Sequence, residues 1–573
     1  MINYNINQIP FSRYGSYISF SFIDERWDAK QDFARGLYLR NIHGDSPSKE
    51  VFRIEASFQG NSLPFSVSYI PEMMTLHSEY GKAYFCISEP KKLLIRSHGI
   101  SLKFFSEGYW IHDNIIQRGN NTWVLNCKKN RISYLLHIFS GKLVLNSPWD
   151  GIKCSRMDFE LIPDQDSKIF EGVILEFRCS PNVNGLCYEP FFEAVNKVKV
   201  EFESFLSKMP EVHQSYSKTR EIASYVNWSS VITPEGHLKY PAMLMSKNWM
   251  TNIYSWDHCF NALALSYGLP DLAWQQFSIF FEMQDETGAL PDFCNDCLKI
   301  WNFTKPPIHG WTFNKMLNNS DYFKDIKLLR YAYDKLCLWT KWWLNYRDDD
   351  KDGIPEYNHG NDSGWDNSTV FSVSPMVESP DLTAFLILQT DLLSEIAGML
   401  YLKEEKEYWY KLCKNLERNF FKHFLFDNKL MAFTPFTHEH VKNKSLLMYM
   451  PLILGRRLPQ ELVSSMILDL KNKEKFLTDF GLATESLSSE YYEDDGYWRG
   501  PIWAPSTLLI IEGLKQAGEY DFAKILIKKY CDMVMTEGFS ENFSAKTGQG
   551  YRDPAYTWTS SVFLILAHEL LYL

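Results

Sequence analysis

Two aspartates frame a tryptophan in the ten-residue stretch HGNDSGWDNS, which spans residues 359–368. Asp362 and Asp366 lie four positions apart, and Gly364 and Trp365 stand between them. Carboxyl groups transfer protons, and an apolar neighbour raises the pKa of a carboxyl so that it keeps its proton near neutral pH. The stretch is interpreted either as a catalytic acid, Asp366, held against an apolar wall, or as a polar surface loop containing one aromatic residue.

Five further segments also combine a carboxylate, an aromatic residue or a glycine. They are YSWDHCFNA (254–262), QDETGALPD (284–292), TKPPIHGW (304–311), YWRGPIWAP (497–505) and SENFSAKTGQG (540–550). They separate stretches with helical periodicity, and site residues usually lie in such connections. Cleavage of a glycosidic bond needs two carboxyl groups, of which one protonates the leaving oxygen and the other attacks the sugar or activates water. Several loops of this kind indicate one site at which they converge.

The elements that must position these loops change in character near residue 190. Before it, short segments rich in β-branched and aromatic residues, such as GLYLRNI, VFRIEASF and GVILEFRC, predict an antiparallel β-sandwich over residues 1–189. After it, apolar residues recur at helical spacing through roughly a dozen segments, many of them apolar on more than one side. No fixed repeat is present, so a closed (α/α)6 barrel over residues 190–573 is predicted, with 190–230 as linker and first helices.

The composition excludes several classes of function. The chain has 59 basic and 70 acidic residues, a formal charge of −11, so binding to nucleic acid or to anionic lipid is not expected. No segment reaches the length of a membrane span, and the N-terminus lacks a basic start followed by an apolar run. Eleven cysteines without a pairing pattern predict a reducing cytoplasm. Nothing in the sequence indicates an oligomeric state.

The motifs SWDHCFNA, KPPIHGW, NDSGWDNS, YWRGPIWAP and ENFSAKTGQG, in this order, resemble those of glycoside hydrolase family 63. The resemblance covers about residues 230–573 and implies a small carbohydrate as substrate and hydrolysis with inversion at the anomeric carbon of an α-linked sugar, with no cofactor required for catalysis. It implies that Asp366 is the general acid and Glu541 the general base. Trehalases share SGWD and the barrel, but they carry Ala-Glu where this chain has Asn361 and Asp362, so trehalose is not expected as the substrate.

The resemblance also implies a set of substrate-binding residues. Asp257 would bond sugar hydroxyls, Gly364 would leave room for the sugar beside the acid, and an aromatic segment would bind the ring. The complete predicted set is Trp256, Asp257, Gln284, His309, Trp311, Asp362, Gly364, Trp365, Tyr497, Trp498, Arg499 and Trp503.

Several of these residues have a second interpretation. Asp362 is expected to support the loop or cap it rather than to react. Arg499 could clamp a substrate or pair with the acidic run at 493–495, and His309 could be a structural donor. Trp256 and Trp311 could belong to the core instead of the pocket.

A separate acidic segment, RDDDKDGIPEY (347–357), matches the first half of a calcium loop. Asp348, Asp350 and Asp352 would supply ligands, and Glu356 would replace the closing glutamate, because His359 occupies the twelfth position. A bound calcium ion would be structural. The alternative is an acidic turn that caps the preceding helix.

Three other functions are compatible with such a barrel. A glycoside phosphorylase would keep the acid but use phosphate in place of the base, and Glu541 argues against it. A carbohydrate-binding protein without catalysis would not need both carboxylates. A sugar epimerase would depend on histidines, and no pair of histidines suggests one. The leading prediction is an inverting glycosidase that cleaves an α-linked, α-glucosidic bond in a short oligosaccharide or glucoside.

Overall fold

The computed structural model describes residues 4–24, 34–46, 48–106, 110–180 and 187–573. Its N-terminal part consists of strands joined by short turns. In chain order the strands are β1 (Phe11–Ser12), β2 (Ile18–Ile23), β3 (Gly36–Asn41), β4 (Glu50–Phe58), β5 (Asn61–Leu63), β6 (Ser66–Ile70), β7 (Met73–Ser78), β8 (Gly81–Glu89), β9 (Lys92–His98), β10 (Ser101–Ser106), β11 (Asn114–Gly119), β12 (Thr122–Cys127), β13 (Ile132–Ser140), β14 (Lys142–Asn146), β15 (Asp158–Ile162) and β16 (Ile169–Phe177).

These strands form two eight-stranded antiparallel sheets. One has the order β1-β2-β3-β4-β10-β15-β14 with β5 beside β4, and the other has the order β11-β12-β13-β16-β9-β8-β7-β6. Aromatic side chains join the two sheets: the ring centroids of Phe20 and Phe85 are 5.3 Å apart, and those of Phe52 and Tyr134 are 6.5 Å apart. The apolar faces of the strands are thus buried against each other, which confirms the predicted sandwich.

Twelve α-helices follow among the described residues. They are α1 (Phe191–Lys208), α2 (Ser217–Ser230), α3 (Asp257–Leu265), α4 (Pro270–Ser278), α5 (His309–Asn319), α6 (Ile326–Tyr346), α7 (Pro380–Met399), α8 (Lys403–Phe424), α9 (Gln460–Lys471), α10 (Ala504–Gln516), α11 (Tyr520–Glu537) and α12 (Thr557–Glu569). The 3-10 helices are Gln214–Tyr216, Asp321–Lys324, Gly360–Ser363, Thr369–Phe371 and Leu446–Arg457.

Two-residue strands pair within the connections of this helical part. They are Val231–Ile232, Ala242–Met243, Ile253–Tyr254, Phe293–Cys294, Lys299–Ile300, Leu425–Phe426, Lys429–Leu430, Ala432–Phe433, His440–Val441, Ile502–Trp503, Asn542–Phe543 and Gly550–Tyr551. None of the named strands lies between residues 320 and 420, a range that the structure describes without a gap.

Six elements close into an inner ring. The helix α3 contacts α5, α5 contacts α7, α7 contacts the segment 446–457, that segment contacts α10, α10 contacts α12, and α12 returns to α3. The helices α2, α4, α6, α8, α9 and α11 pack outside this ring. Inner helices are buried on every side, as α10 shows from Ala504 to Leu514, so their sequences are apolar all round. The (α/α)6 barrel is therefore confirmed.

The inner helix α7 also has a length and composition sufficient to cross a membrane, contrary to the expectation from the sequence. However, 72% of its apolar window is buried inside the protein. It packs against α5, α6, α8 and the segment 446–457. Its hydropathy is that of a barrel helix surrounded by other helices.

The sandwich is joined to the barrel through buried ionic groups. Arg40 donates hydrogen bonds to the carbonyl oxygens of Lys247 (2.7 Å) and Asn248 (2.8 Å). The Lys247 ammonium in turn donates to the Ser16 carbonyl at 2.6 Å. Burial lowers the pKa of Lys247. The N-terminal domain thereby holds the backbone of the turn at residues 246–250, which belongs to the barrel.

Candidate active site

The catalytic candidates come together where the inner helices begin. Asp257 is the first residue of α3, Asp366 lies in the connection that leads to α7, and Glu541 lies in the connection that leads to α12. Because the helices of the inner ring all start at one end of the barrel, residues far apart in the chain share one pocket. The prediction that these motifs lie in connections is wrong for SWDHCFNA, since most of that motif forms α3.

The pocket contains a set of packed indole rings. Trp498 and Trp503 stack with centroids 4.0 Å apart and an interplanar angle of 6°. Trp365 lies 4.5 Å from Trp498, and Trp256 lies 6.3 Å from it. All four tryptophans are almost completely buried, so they form an apolar cluster, and Asp257 and Asp366 directly follow two of its members in the chain.

Asp366 is partly accessible and follows Trp365 directly. Burial raises the pKa of its carboxyl above the usual value, whereas Lys305 and a hydrogen bond from Tyr497 oppose that rise. The neighbouring residue Asn367 fixes the acid relative to the aromatic loop: its side-chain oxygen accepts from the Trp498 backbone N–H at 2.9 Å. A carboxyl with a raised pKa that remains partly accessible is suited to protonating a leaving group.

Glu541 is 6% exposed, and burial raises the pKa of its carboxyl to about 8. Asp553 raises this pKa further, and Arg552 lowers it. The backbone of Glu541 is held firmly, because its N–H donates to the Asp553 carbonyl at 2.8 Å and its carbonyl accepts from the Trp558 indole at 3.1 Å. The hydroxyl of Tyr497 hydrogen-bonds to Asp366, and the charges of Asp366 and Glu541 both raise the pKa of the tyrosine, so the two carboxyls lie near the same side chain.

Asp553 connects Glu541 to the sandwich. Its carboxylate accepts from the Ser246 hydroxyl at 2.9 Å and from the Trp249 N–H at 3.0 Å. These residues belong to the turn that Arg40 holds from the N-terminal domain. Through these hydrogen bonds, the sandwich therefore stabilises the connection that carries Glu541.

Asp257 is a third buried carboxyl of this pocket. It is 2% exposed and accepts a hydrogen bond from the Tyr556 hydroxyl at 3.1 Å. Burial raises the pKa of Asp257 to about 7, Lys305 lowers it, and Asp292 raises it. The charge of Asp257 also raises the pKa of Glu541, so these two buried carboxyls lie near each other.

Asp362 is saturated with hydrogen bonds from the protein. One oxygen accepts from the Thr304 N–H (3.0 Å), and the other accepts from the Arg347 guanidinium (2.7 Å) and the Asn358 N–H (3.0 Å). The residue is 1% exposed. These contacts match the supporting role that was favoured over direct catalysis, because the carboxylate is turned toward the protein and not toward a substrate.

The backbone conformation and the surroundings of Gly364 both explain why this position is a glycine. Its φ is +73°, a left-handed conformation that side chains rarely adopt, and a Cβ there would lie 2.6 Å from the ring of Trp256. The glycine thus makes room for the ring of Trp256.

Two other predicted contacts support the loops around the pocket. The Gln284 amide donates to the carbonyls of Gly288 (2.9 Å) and Lys335 (3.2 Å), so it stabilises its own loop. Arg499 donates through Nε to the Asn367 carbonyl at 2.7 Å, so it supports the segment next to Asp366.

His309 and Trp311 both lie on α5. His309 is fully buried against Phe281 and Trp339, and burial lowers its pKa, so it is a neutral core residue. Trp311 is 7% exposed.

The sequence interpretation missed five residues of the pocket. Lys305 pairs with Asp292 at 2.8 Å, and its ammonium also donates to the Asn361 side chain at 2.7 Å. The guanidinium of Arg552 lies 4.9 Å from the centroid of the Tyr497 ring. The five are Tyr254, Asp292, Lys305, Arg552 and Tyr556. Tyr254, Asp292 and Lys305 stand inside the segments quoted above, so their motif positions were the available signal.

The acidic segment forms a turn next to the site. The ligating oxygens of Asp348, Asp350 and Asp352 lie within 4.8 Å of one another. Glu356 is not among them: its carboxylate accepts from the Asp349 N–H at 3.2 Å, and burial raises its pKa to about 7. Backbone N–H groups also donate hydrogen bonds to these carboxylates. For example, the N–H of Ile354 donates to Asp352 at 2.8 Å.

Comparison with known proteins assigns the chain that forms this site to a family. The sequence model of the mannosylglycerate hydrolase MGH1-like glycoside hydrolase domain matches residues 250–559. The chain belongs to this family, within glycoside hydrolase family 63. It is therefore a glycosidase, and the matched range contains Asp257, Asp366 and Glu541.

The relatives agree with this assignment. The chain is 21% identical to the mannosylglycerate hydrolase of Rubrobacter radiotolerans over 451 residues, which are 63% of this chain and 98% of the relative. Over 80 residues, 13% of this chain and 19% of the relative, it is 30% identical to the mannosylglycerate hydrolase of Thermus thermophilus.

Solved structures share the fold of this glycosidase. The family 63 mannosylglycerate hydrolase of Thermus thermophilus, in complex with glucose, superposes with a TM-score of 0.53 at 18% identity over 60% of this chain and 98% of the other. A bacterial glucoamylase complexed with acarbose superposes with a TM-score of 0.64 at 11% identity over 100% of this chain and 96% of the other. The second likeness spans both domains.

Proposed function

We propose that this glycosidase hydrolyses an α-linked, α-glucosidic bond in a short oligosaccharide or glucoside with inversion, using Asp366 as the acid and Glu541 as the base. The observation that carries the proposal is that Tyr497 hydrogen-bonds to Asp366 and lies near enough to Glu541 for the charge of that carboxyl to raise the pKa of the tyrosine, beside a cluster of stacked tryptophans. Sugar rings bind through their apolar faces, and buried carboxyls hydrogen-bond their hydroxyls. Asp257 would take that second role.

A glycerate glycoside is the second candidate substrate, because the family and the relatives carry the name mannosylglycerate hydrolase. The leaving group of such a substrate is glycerate, which carries a carboxylate. Arg552 lies on the Tyr497 ring, and it is the cation that lowers the pKa of Glu541. A cation placed beside the reacting groups supports a negatively charged leaving group.

A screen of α-linked disaccharides, α-glucosides, mannosylglycerate and glucosylglycerate, with product analysis, tests the proposal. We expect sugar release that does not need phosphate. Product formation that requires phosphate would identify a phosphorylase, and binding without turnover would identify a carbohydrate-binding protein. The screen also separates neutral from anionic leaving groups.

We also propose that the turn at Asp348, Asp350 and Asp352 binds a structural calcium ion. Three carboxylates within 4.8 Å repel one another, and the pKa of Asp348 is raised by burial and by both other aspartates. A cation would relieve this repulsion. Glu356 is a poor closing ligand here because it accepts a backbone hydrogen bond.

Removal of calcium with a chelator is accordingly expected to lower the Tm, since the ion binds the folded turn and not the unfolded chain. Calorimetry with and without added calcium measures the effect. Asp348→Asn should lower the Tm in calcium and abolish its response to the chelator. An unchanged melting curve in excess chelator would instead identify a bare acidic turn.

The proposed setting is a reducing cytoplasm, and the proposed partner is the carbohydrate substrate alone. In support, each of the eleven cysteines is free. Thioredoxin- or glutathione-buffered compartments maintain such thiols.

A further inference from the structure

Two histidines stand beside the acidic turn, on elements that the sequence motifs did not include. His423 lies in the last turn of α8, and His438 lies in the hairpin formed by Ala432–Phe433 and His440–Val441. Their ring centroids are 5.5 Å apart. One ligating atom from each of Asp352, Glu378, His423 and His438 can be chosen so that all four lie within 4.8 Å of one another. We call these four residues the histidine cluster.

Glu378 is the centre of the histidine cluster. One of its carboxylate oxygens lies 2.7 Å from Nε2 of His423 and 3.6 Å from Nδ1 of His438. The other ring nitrogen of His423 lies 3.4 Å from Asp352. The segment around Glu378 is fixed, because its backbone exchanges hydrogen bonds with Phe433 at 2.9 and 3.1 Å.

The second oxygen of Glu378 has no hydrogen-bond partner, although the side chain is fully buried. Glu356 and Asp348, on the adjacent turn, each also leave one buried carboxylate oxygen without a partner. An unpaired buried carboxylate oxygen costs free energy that native proteins rarely accept. The unpartnered oxygen of Glu378, on a carboxylate that contacts two imidazoles, is the arrangement expected of a site that binds a cation.

We propose that the histidine cluster is a binding site for a first-row transition-metal dication, of which zinc is the representative. Two imidazole nitrogens and two carboxylate oxygens form a four-ligand set that suits zinc. Calcium prefers six to eight oxygen ligands and gains little from imidazole. The histidine cluster therefore differs in its ligand chemistry from the three-aspartate turn, although Asp352 belongs to both.

A metal ion here would hold together four parts of the barrel. Asp352 belongs to the turn after α6, Glu378 to the segment before α7, His423 to the end of α8 and His438 to the hairpin. Tyr357, which follows the turn, pairs its backbone with Val377 at 2.9 and 3.0 Å. The chain between these two residues carries Asp366. The site would thus tie down both ends of the segment that bears the proposed acid.

The entrance of the histidine cluster is open enough for an ion to enter. The His438 side chain is 43% exposed, that of Asp352 is 25% exposed and that of His423 is 16% exposed, whereas Glu378 closes the inner side. Replacement of His438 therefore removes a ligand without disturbing the core.

The test is titration of the chelator-stripped full-length protein with zinc chloride by isothermal calorimetry, and with cobalt chloride by visible absorption. We expect zinc to bind and raise the Tm, and cobalt to show the absorption bands of a nitrogen- and oxygen-ligated tetrahedral ion. His438→Gln and His423→Gln should weaken zinc binding by more than the roughly 10–100-fold that loss of an outer-shell partner costs.

Two variants serve as matched controls. His440→Gln changes another histidine of the same hairpin that is outside the histidine cluster and should leave zinc affinity unchanged. Asp348→Asn removes a carboxylate of the calcium turn and should also retain zinc. Absence of zinc binding, equal affinity in His438→Gln, or a larger loss in Asp348→Asn than in His438→Gln would each overturn the proposal. Should His423→Gln not fold, His438→Gln decides alone.

Discussion

Asp366→Asn is expected to reduce turnover of the natural substrate by about 10²–10⁴-fold, the usual contribution of a general acid or base. Asparagine keeps the shape and the hydrogen bond from Tyr497 but has no proton to give to the leaving oxygen. A substrate with a good leaving group, such as a nitrophenyl glycoside, should lose much less, because its departure needs little protonation. Steady-state kinetics on both substrates measure the difference.

Glu541→Gln is expected to lose a similar factor on both kinds of substrate, since the attacking water must be deprotonated whichever group leaves. Proton NMR of the first-formed sugar from wild-type protein should show the β-anomer from an α-linked substrate. In a sugar complex the two carboxyls should lie about 6.5–9.5 Å apart, which leaves space for that water. Initial release of the α-anomer, or a separation near 5 Å, would indicate a retaining mechanism.

Control variants separate an effect on catalysis from an effect on folding. Asp321→Asn makes the same change at an exposed residue and should keep wild-type turnover. Asp362→Asn should lower the Tm and cost less turnover than Asp366→Asn, because Asp362 neutralises the half-buried Arg347 and accepts from two backbone N–H groups. If Asp366→Asn keeps most of its activity while folded, Asp366 is not the acid.

The acidic limb of the pH profile for kcat/KM is expected to lie well above pH 4.5, the ordinary range of a glutamate. Burial raises the pKa of Glu541 to about 8, and a base must be ionised to take a proton from water. As the pH falls through this pKa, Glu541 becomes protonated and activity is lost. The raised pKa of Asp366 keeps the acid protonated to higher pH than an exposed aspartate would be.

Substitution of Arg552 tests the assignment of Glu541 as the base. Its charge lowers the pKa of Glu541, so Arg552→Gln should move the acidic limb to higher pH, and Arg552→Lys should restore it in part. The displacement of the acidic limb between variants is the informative quantity, because it isolates the effect of the Arg552 charge on the pKa of Glu541. An acidic limb near pH 4.5 in wild type, or one that does not move in Arg552→Gln, would contradict Glu541 as a buried base.

Local sequence patterns were sufficient to predict the two-part fold. Period-two alternation in VFRIEASF and helical periodicity in the later segments follow from which faces are buried, and burial acts on each segment locally. The hydropathy of α7 and α10 likewise indicated inner helices of a closed ring. The motif residues Asp257, Asp366 and Glu541 could be selected because the segments that carry them resemble the motifs of glycoside hydrolase family 63.

What those residues do for one another depends on tertiary packing. Gly364 is required by the ring of Trp256, a contact across more than a hundred residues that no local pattern records. Asp362 is a support because Arg347 and two backbone groups occupy its oxygens.

Tertiary packing also determines the pKa values of the buried carboxyls and creates the histidine cluster. The pKa of Glu541 depends on burial together with Asp553 and Arg552, and burial is a property of the assembled pocket. Lys305 meets Asp292, and His423 meets Glu378, because α8, the hairpin and the connections to the inner helices converge in space. Periodicity identifies the face that an element buries, but the partner across that face is set by packing of the whole barrel.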